Sequence, residues 1–167
     1  MSLNIHPIIV HFPVALLTLY ALIELIPFAV VRKNKSVQVI KLFLLFIGEM
    51  GAVAAGLTGS LASHGSKTNP DIRYPNVIHT HSAFAQLTFI VFGLITLLYI
   101  SQLLNQYYKK VSVPELIVTL STYYWVLAPL ALIGITTLTI TGALGGVVVY
   151  GPDLDPFTHF VYQLLIH

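Results

Sequence analysis

The sequence predicts an all-α integral membrane protein: a four-helix bundle followed by a short C-terminal amphipathic helix at the interface. Three observations predict it. Of the 167 residues, 56% are hydrophobic. Only 8% are charged, against roughly 25% in a soluble domain. Four stretches are long and apolar enough to cross ~30 Å of hydrocarbon, which takes ~20 residues. The bilayer core offers no water, so backbone hydrogen bonds must close within each stretch, and each reads as a helix. A single transmembrane domain, 1–167, then accounts for the chain.

The first predicted span is 8–31, headed by HPIIVHFP. Pro13 cannot donate to the carbonyl of Ile9, so this entry should be bent, with His11 aimed into the bundle and His6 at its rim. No Lys or Arg precedes Arg32, and the apolar run is long, so it reads as a true span rather than a cleaved signal. The second span is 37–62. Its outer half carries Gly48, Ala52, Ala55, Gly56, Gly59 and Ser63 on a small-residue face. Such a face suits close helix packing, or leaves room for a flat macrocycle. The third span is 79–104. His79 and His81 stand about 200° apart on a helix, so only one of them can face inward. His81, Ala85 and Thr88 form one stripe; His79, Ala83 and Gln86 form the other.

The fourth span, 116–149, is too long for a simple crossing. Pro129 is expected to kink it, and Tyr123, Tyr124 and Trp125 are expected to mark where the hydrocarbon begins. Residues 155–167 form the interfacial tail. Phe157, Phe160, Val161, Leu164 and Leu165 recur there at helical spacing. Asp155-Pro156 supplies an N-cap and a first-turn proline.

Arg32, Lys33, Lys35 and Lys41 flank the first connection, and Lys109 and Lys110 lie in the third. The second has only Lys67 and Arg73. The positive-inside rule then puts the first and third connections in the cytoplasm. All seven histidines fall on the opposite, outer side: His6, His11, His64, His79, His81, His159 and His167. Ionisable groups in or near a membrane default to a functional role.

The chain has no cysteine, which excludes disulfides, thiolate-held clusters and covalent c-type haem. No basic stripe points to nucleic acid. No HExxH spacing supports a hydrolytic zinc site, and no signature of nucleophilic catalysis or phosphate binding is present. An electron-transfer subunit is therefore favoured over a self-contained enzyme. Haem iron with two axial imidazoles needs one histidine from each of two facing helices. His11 and His81 are the preferred pair, with His79 as substitute for His81. His64 and His6 would serve the propionate edge or a second pair, so that one haem b, or two side by side, sits in the outer leaflet. Gly56 and Gly59 would make room for the macrocycle, and Arg73 and Lys67 would neutralise propionates. Electrons would pass from a quinol to an outer-side acceptor.

Two alternatives remain at this stage. One is a non-haem Zn, Cu or Fe site built from the same imidazoles. The other is a cofactor-free structural or assembly subunit. Glu24 and Glu49 lie within spans, where carboxylates are protonated or partnered. They read either as a proton path to a quinone or as neutral acids bonded to Tyr, Thr or Ser.

HPIIVHFPVALL at the start, HSAFAQLTFIVFG in the third helix and TGALGGVVVYGPDLDPF near the end together resemble the domain of unknown function 2231 family of small four-helix bacterial membrane proteins. The resemblance covers nearly the whole chain. It implies a bacterial inner (cytoplasmic) membrane location; by the positive-inside reading both termini and the histidine cluster then lie on the periplasmic side. It also implies His6, His11 and His81 as motif positions. Where the family pattern has an acidic residue after the third-helix histidine, this chain has Ser82. Some members of the family are joined to c-type cytochrome or Rieske modules, which implies a c-type cytochrome or other redox subunit as partner. The apolar spans call for lipid around the bundle, and a further copy of the chain is a separate candidate partner.

Overall fold

The structure is a computed structural model. It describes residues 5–67, 74–107 and 114–166, with backbone alone at 29, 62–67, 106–107 and 121–122. The elements are α1 (His6–Glu24), α2 (Ala29–Lys33), α3 (Lys35–Lys67), α4 (Pro75–Tyr107), α5 (Glu115–Thr122), α6 (Tyr124–Tyr150) and α7 (Pro156–Ile166). No strand occurs among the described residues. Four helices are long and apolar enough to cross a membrane: His6–Glu24, Lys35–Leu61, Pro75–Asn105 and Tyr124–Tyr150.

Local chemistry sets the boundaries. Pro7 opens α1, where a missing N–H costs nothing. Pro27 disfavours helix at the residue before it, so α1 stops at Glu24 and the 8–31 stretch divides into α1 and the short α2. Asn34 Oδ1 accepts from the backbone N–H of Ser36 at 2.9 Å and caps α3. The 116–149 stretch does not run through Pro129 as one kinked helix from its start. It breaks at Tyr123, which is extended (φ −80°, ψ 119°), and Pro129 lies inside α6 beyond the break. Gly151 (φ 91°) ends α6, its N–H bonding to Val147 O. Only glycine adopts that backbone at little cost.

α1 packs along α3, and α4 along α6, as two helical hairpins. The hairpins meet through α1 against α6 and α3 against α4. α1 and α4 therefore face each other across the bundle diagonal, as do α3 and α6. The main core sits toward the basic end of the bundle, around Leu17, Tyr20, Leu45, Phe92, Ile95 and Ala131. A smaller core of Val77, Leu144, Val147 and Val161 holds α7 against α4 and α6 at the histidine end. In α7, Thr158 and Val161 are buried, while Phe157, Phe160 and Leu164 stay exposed. The apolar stripe of the tail is thus shared between the bundle and whatever surrounds it.

Candidate functional site

The histidines do not distribute as the bend at Pro13 suggested. His11 is exposed, and its Nδ1 bonds back to the carbonyl of Pro7 on its own helix. His6 is the inward one. Its Nδ1 lies 3.1 Å from Thr58 Oγ1 on α3. That hydroxyl also stands within donating distance of the Ala54 and Ala55 carbonyls, at 3.0 and 3.1 Å, and Ala55 offers its backbone to His6 as well. On α4, His81 is half-buried and His79 is exposed. His81 Nδ1 donates to Thr141 O on α6 at 2.9 Å. A carbonyl can only accept, which fixes the tautomer and leaves Nε2 with its lone pair.

The rings of His6 and His81 lie at the same end of the bundle on diagonally opposed helices. Each lies against a glycine of its hairpin partner. A Cβ at Gly59 would stand 3.0 Å from His6 Cε1, and one at Gly145 would stand 3.3 Å from His81 Cε1. The structure therefore places His6 against Thr58 and Gly59, and His81 against Thr141 and Gly145. It does not bring His11 or His79 to the same place. Gly56 is exposed with open space above it. The side chain of His64, and Arg73 altogether, lie outside the described residues. Among the described residues no group of three or more His, Cys, Asp or Glu is placed to hold a metal ion.

A second polar centre lies at the basic end. Glu24 is 2% exposed and Lys41 4% exposed. Lys41 Nζ stands 2.7 Å from Glu24 Oε2. The same oxygen accepts from Tyr20 OH at 3.0 Å and Tyr99 OH at 2.8 Å. The Lys41 ammonium also lies 5.4 Å from the Tyr99 ring centroid. Nearby, Arg32 stacks 4.4 Å from the Tyr124 ring centroid, and Tyr124 OH donates to Leu25 O at 3.2 Å. Lys41 had counted as a flanking charge of the first connection; it is instead inside the bundle. Glu24 had been given Tyr, Thr or Ser partners as a neutral acid. Two tyrosines are there, and an ammonium with them.

The family model for predicted membrane proteins (DUF2231) matches residues 2–154. The chain belongs to that family. No curated protein and no solved structure matches. Four candidate spans and the family description agree that this DUF2231 chain is a membrane protein.

The second centre had a sequence signal. Glu24 follows His6 by eighteen residues, and Tyr99 follows His81 by eighteen. Thr58 follows Lys41 by seventeen, and Thr141 follows Tyr124 by seventeen. Leu57-Thr58-Gly59-Ser60-Leu61 also parallels Ile140-Thr141-Gly142-Ala143-Leu144. The two hairpins thus carry matching polar positions in matching registers. Exchanging α1 with α4 and α3 with α6 reproduces the helix neighbours of the bundle. This internal two-fold relation puts His6 opposite His81 at one end and Glu24 opposite Tyr99 at the other.

Proposed function

We propose that this DUF2231 protein is a membrane b-type haem protein that carries electrons at the histidine end of the bundle, where His6 and His81 would hold the haem. The observation that carries the reading is the pairing itself. Two imidazoles from diagonally opposed helices stand at the same end of the bundle, each held through its Nδ1: His6 at Thr58 Oγ1 and His81 at Thr141 O. A ligating histidine is held in this way by a hydrogen bond from its other nitrogen. Porphyrin iron asks the protein for two axial ligands, whereas bare Zn, Cu or Fe asks for three or more. A two-imidazole site therefore favours haem over the non-haem alternative.

Haem iron, when bound, supplies a one-electron carrier. The residues do the rest. Thr141 and Thr58 orient the two rings, and Gly145 and Gly59 let them seat against α6 and α3. Under the positive-inside reading this end faces the periplasm, and electrons would run from a quinol to an outer-side acceptor such as a c-type cytochrome. The setting is a bacterial inner membrane.

The test is an absorption spectrum of detergent-purified protein from haem-replete cells, oxidised and then reduced with dithionite. A Soret band that shifts on reduction, with sharp α and β bands, is expected. His6→Ala and His81→Ala should each lose it, while His11→Ala and His79→Ala should keep it. Haem retained in both His6→Ala and His81→Ala, or a haem-free and correctly inserted wild type, would sink the reading.

A further inference from the structure

Glu49 takes no part in either centre. It lies in α3, fourteen residues from Lys35 and twelve from Leu61, the ends of the apolar stretch. At ~1.5 Å per residue that is roughly 20 Å from one end and 18 Å from the other, the middle of the span. It is 9% exposed. Its Oε1 is fully buried and has no hydrogen-bond partner among the described residues. The contrast with Glu24 is chemical. Glu24 directs one oxygen at an ammonium and two phenol hydroxyls. Glu49 has no such company. An ionised carboxylate left unpaired at this depth would carry a heavy desolvation cost, and the neutral acid carries much less. Lys41, the nearest cation on its own helix, sits eight residues away and is already bound to Glu24.

We propose that Glu49 is a proton-binding site at the middle of the membrane, occupied at rest, with one buried oxygen that the surrounding side chains leave unpartnered. The proposal does not depend on what the imidazoles hold. The two buried glutamates are then in opposite states: Glu24 is a fixed member of an ion pair, and Glu49 is a loaded acid.

A lipid-soluble carbodiimide tells these states apart. The acid proton moves to a carbodiimide nitrogen, and the carboxylate oxygen adds to the central carbon. The O-acylisourea rearranges to a stable N-acylurea, so the whole reagent remains attached and nothing leaves. Full-length protein in phospholipid vesicles is treated with dicyclohexylcarbodiimide, digested and mapped by mass spectrometry. One adduct per chain is expected, on the peptide containing Glu49, with the Glu24 peptide unmodified. Glu49→Gln should abolish the adduct, and Glu24→Gln should leave it. Mapping the unsubstituted protein locates the adduct even where a variant fails to insert. Absence of an adduct at Glu49, equal labelling of Glu24, or protection of Glu49 by sodium ions would overturn the proposal, the last in favour of a metal-cation site.

Discussion

Replacing Lys41 by methionine removes the ammonium from the basic-end centre while keeping most of its volume. At 2.7 Å from Glu24 Oε2, the gross attraction at an effective dielectric of ~20 is about 6 kcal/mol. Desolvating the two ions offsets much of that, so the intact pair contributes little net stability. Breaking it is different. Glu24 would keep the Tyr20 and Tyr99 hydroxyls but lose its countercharge, and an abandoned buried partner costs ~3–5 kcal/mol. Lys41→Met should therefore destabilise strongly. Glu24→Gln should do the same from the other side, because it leaves the ammonium alone. The double variant removes both charges and keeps an amide for the tyrosines, so it should be far more stable than the sum of the single losses predicts. The assay is reversible unfolding in mixed micelles, followed by helical circular dichroism, run as a double-mutant cycle. A coupling of at least ~2 kcal/mol is expected. Single losses that add to within ~0.5 kcal/mol would show the two residues to be independent and would refute the reasoning.

Close helix contacts offer a second test. A Cβ at Gly134 would meet Phe92 Cζ at 2.8 Å, and that ring is fully buried. Gly134→Ala should cost ~1–3 kcal/mol by overpacking, measured in the same unfolding assay. Gly93→Ala meets nothing within 4 Å and should be neutral or stabilising, since alanine is the better helix former. A third test concerns α7. Asp155 Oδ1 accepts from the N–H groups of Phe157 and Thr158, both at 2.9 Å, and Oδ2 accepts from Thr158 Oγ1 at 2.6 Å. The Thr158 hydroxyl holds the Asp155 carboxyl below its usual range, with help from the backbone N–H groups. A depressed carboxyl stabilises the folded form above its unfolded titration point and loses that effect as pH falls through the folded one. The protection factors of the amides across 156–166, exchange taken relative to the intrinsic rate at each pH, should be high at neutral pH and fall under acid. Asp155→Ala should exchange quickly at both, and protection in that variant equal to wild type would dismiss the cap.

Hydrophobic length and turn chemistry made the bundle legible. Apolar runs longer than 18 residues leave few alternatives to membrane helices, and the Asp155-Pro156 start of α7 is a local signal that tertiary packing did not override. The phase of α1 was harder to read. His6 and His11 are five residues apart and so ~140° apart around the helix. The Pro13 bend favoured His11, but it is a weaker argument than the stripe. Pro13, Leu17, Tyr20 and Glu24 are all buried, at steps of four, three and four. Extending that stripe back by seven residues lands on His6. His11 falls off it. Lys41 misled for another reason: a lysine close to a basic loop looks like a surface anchor, and only its partner, seventeen residues earlier on another helix, reveals the burial. Buried charge is a pairwise property, and hydropathy is counted one residue at a time.

The internal two-fold relation gives these pieces a common scale. The eighteen residues between His6 and Glu24, repeated between His81 and Tyr99, span ~27 Å of helix. That is close to the ~30 Å thickness of a hydrocarbon core, so the spacing of the two polar centres matches that of a bilayer's two boundaries. They are not equivalent in what they can do. At the basic end, Glu24 Oε2 is already engaged by Lys41, Tyr20 and Tyr99. A unit charge appearing at the histidine end would act on it with only about 0.6 kcal/mol across ~27 Å at an effective dielectric of ~20. Glu49 lies nine residues from Thr58, His6's support, or ~14 Å along α3. There the same charge acts with about 1.2 kcal/mol, somewhat under a tenfold change in proton affinity, on an acid with one bare oxygen. If the imidazole pair carries a redox centre, Glu49 rather than Glu24 is the group positioned to answer its change of charge.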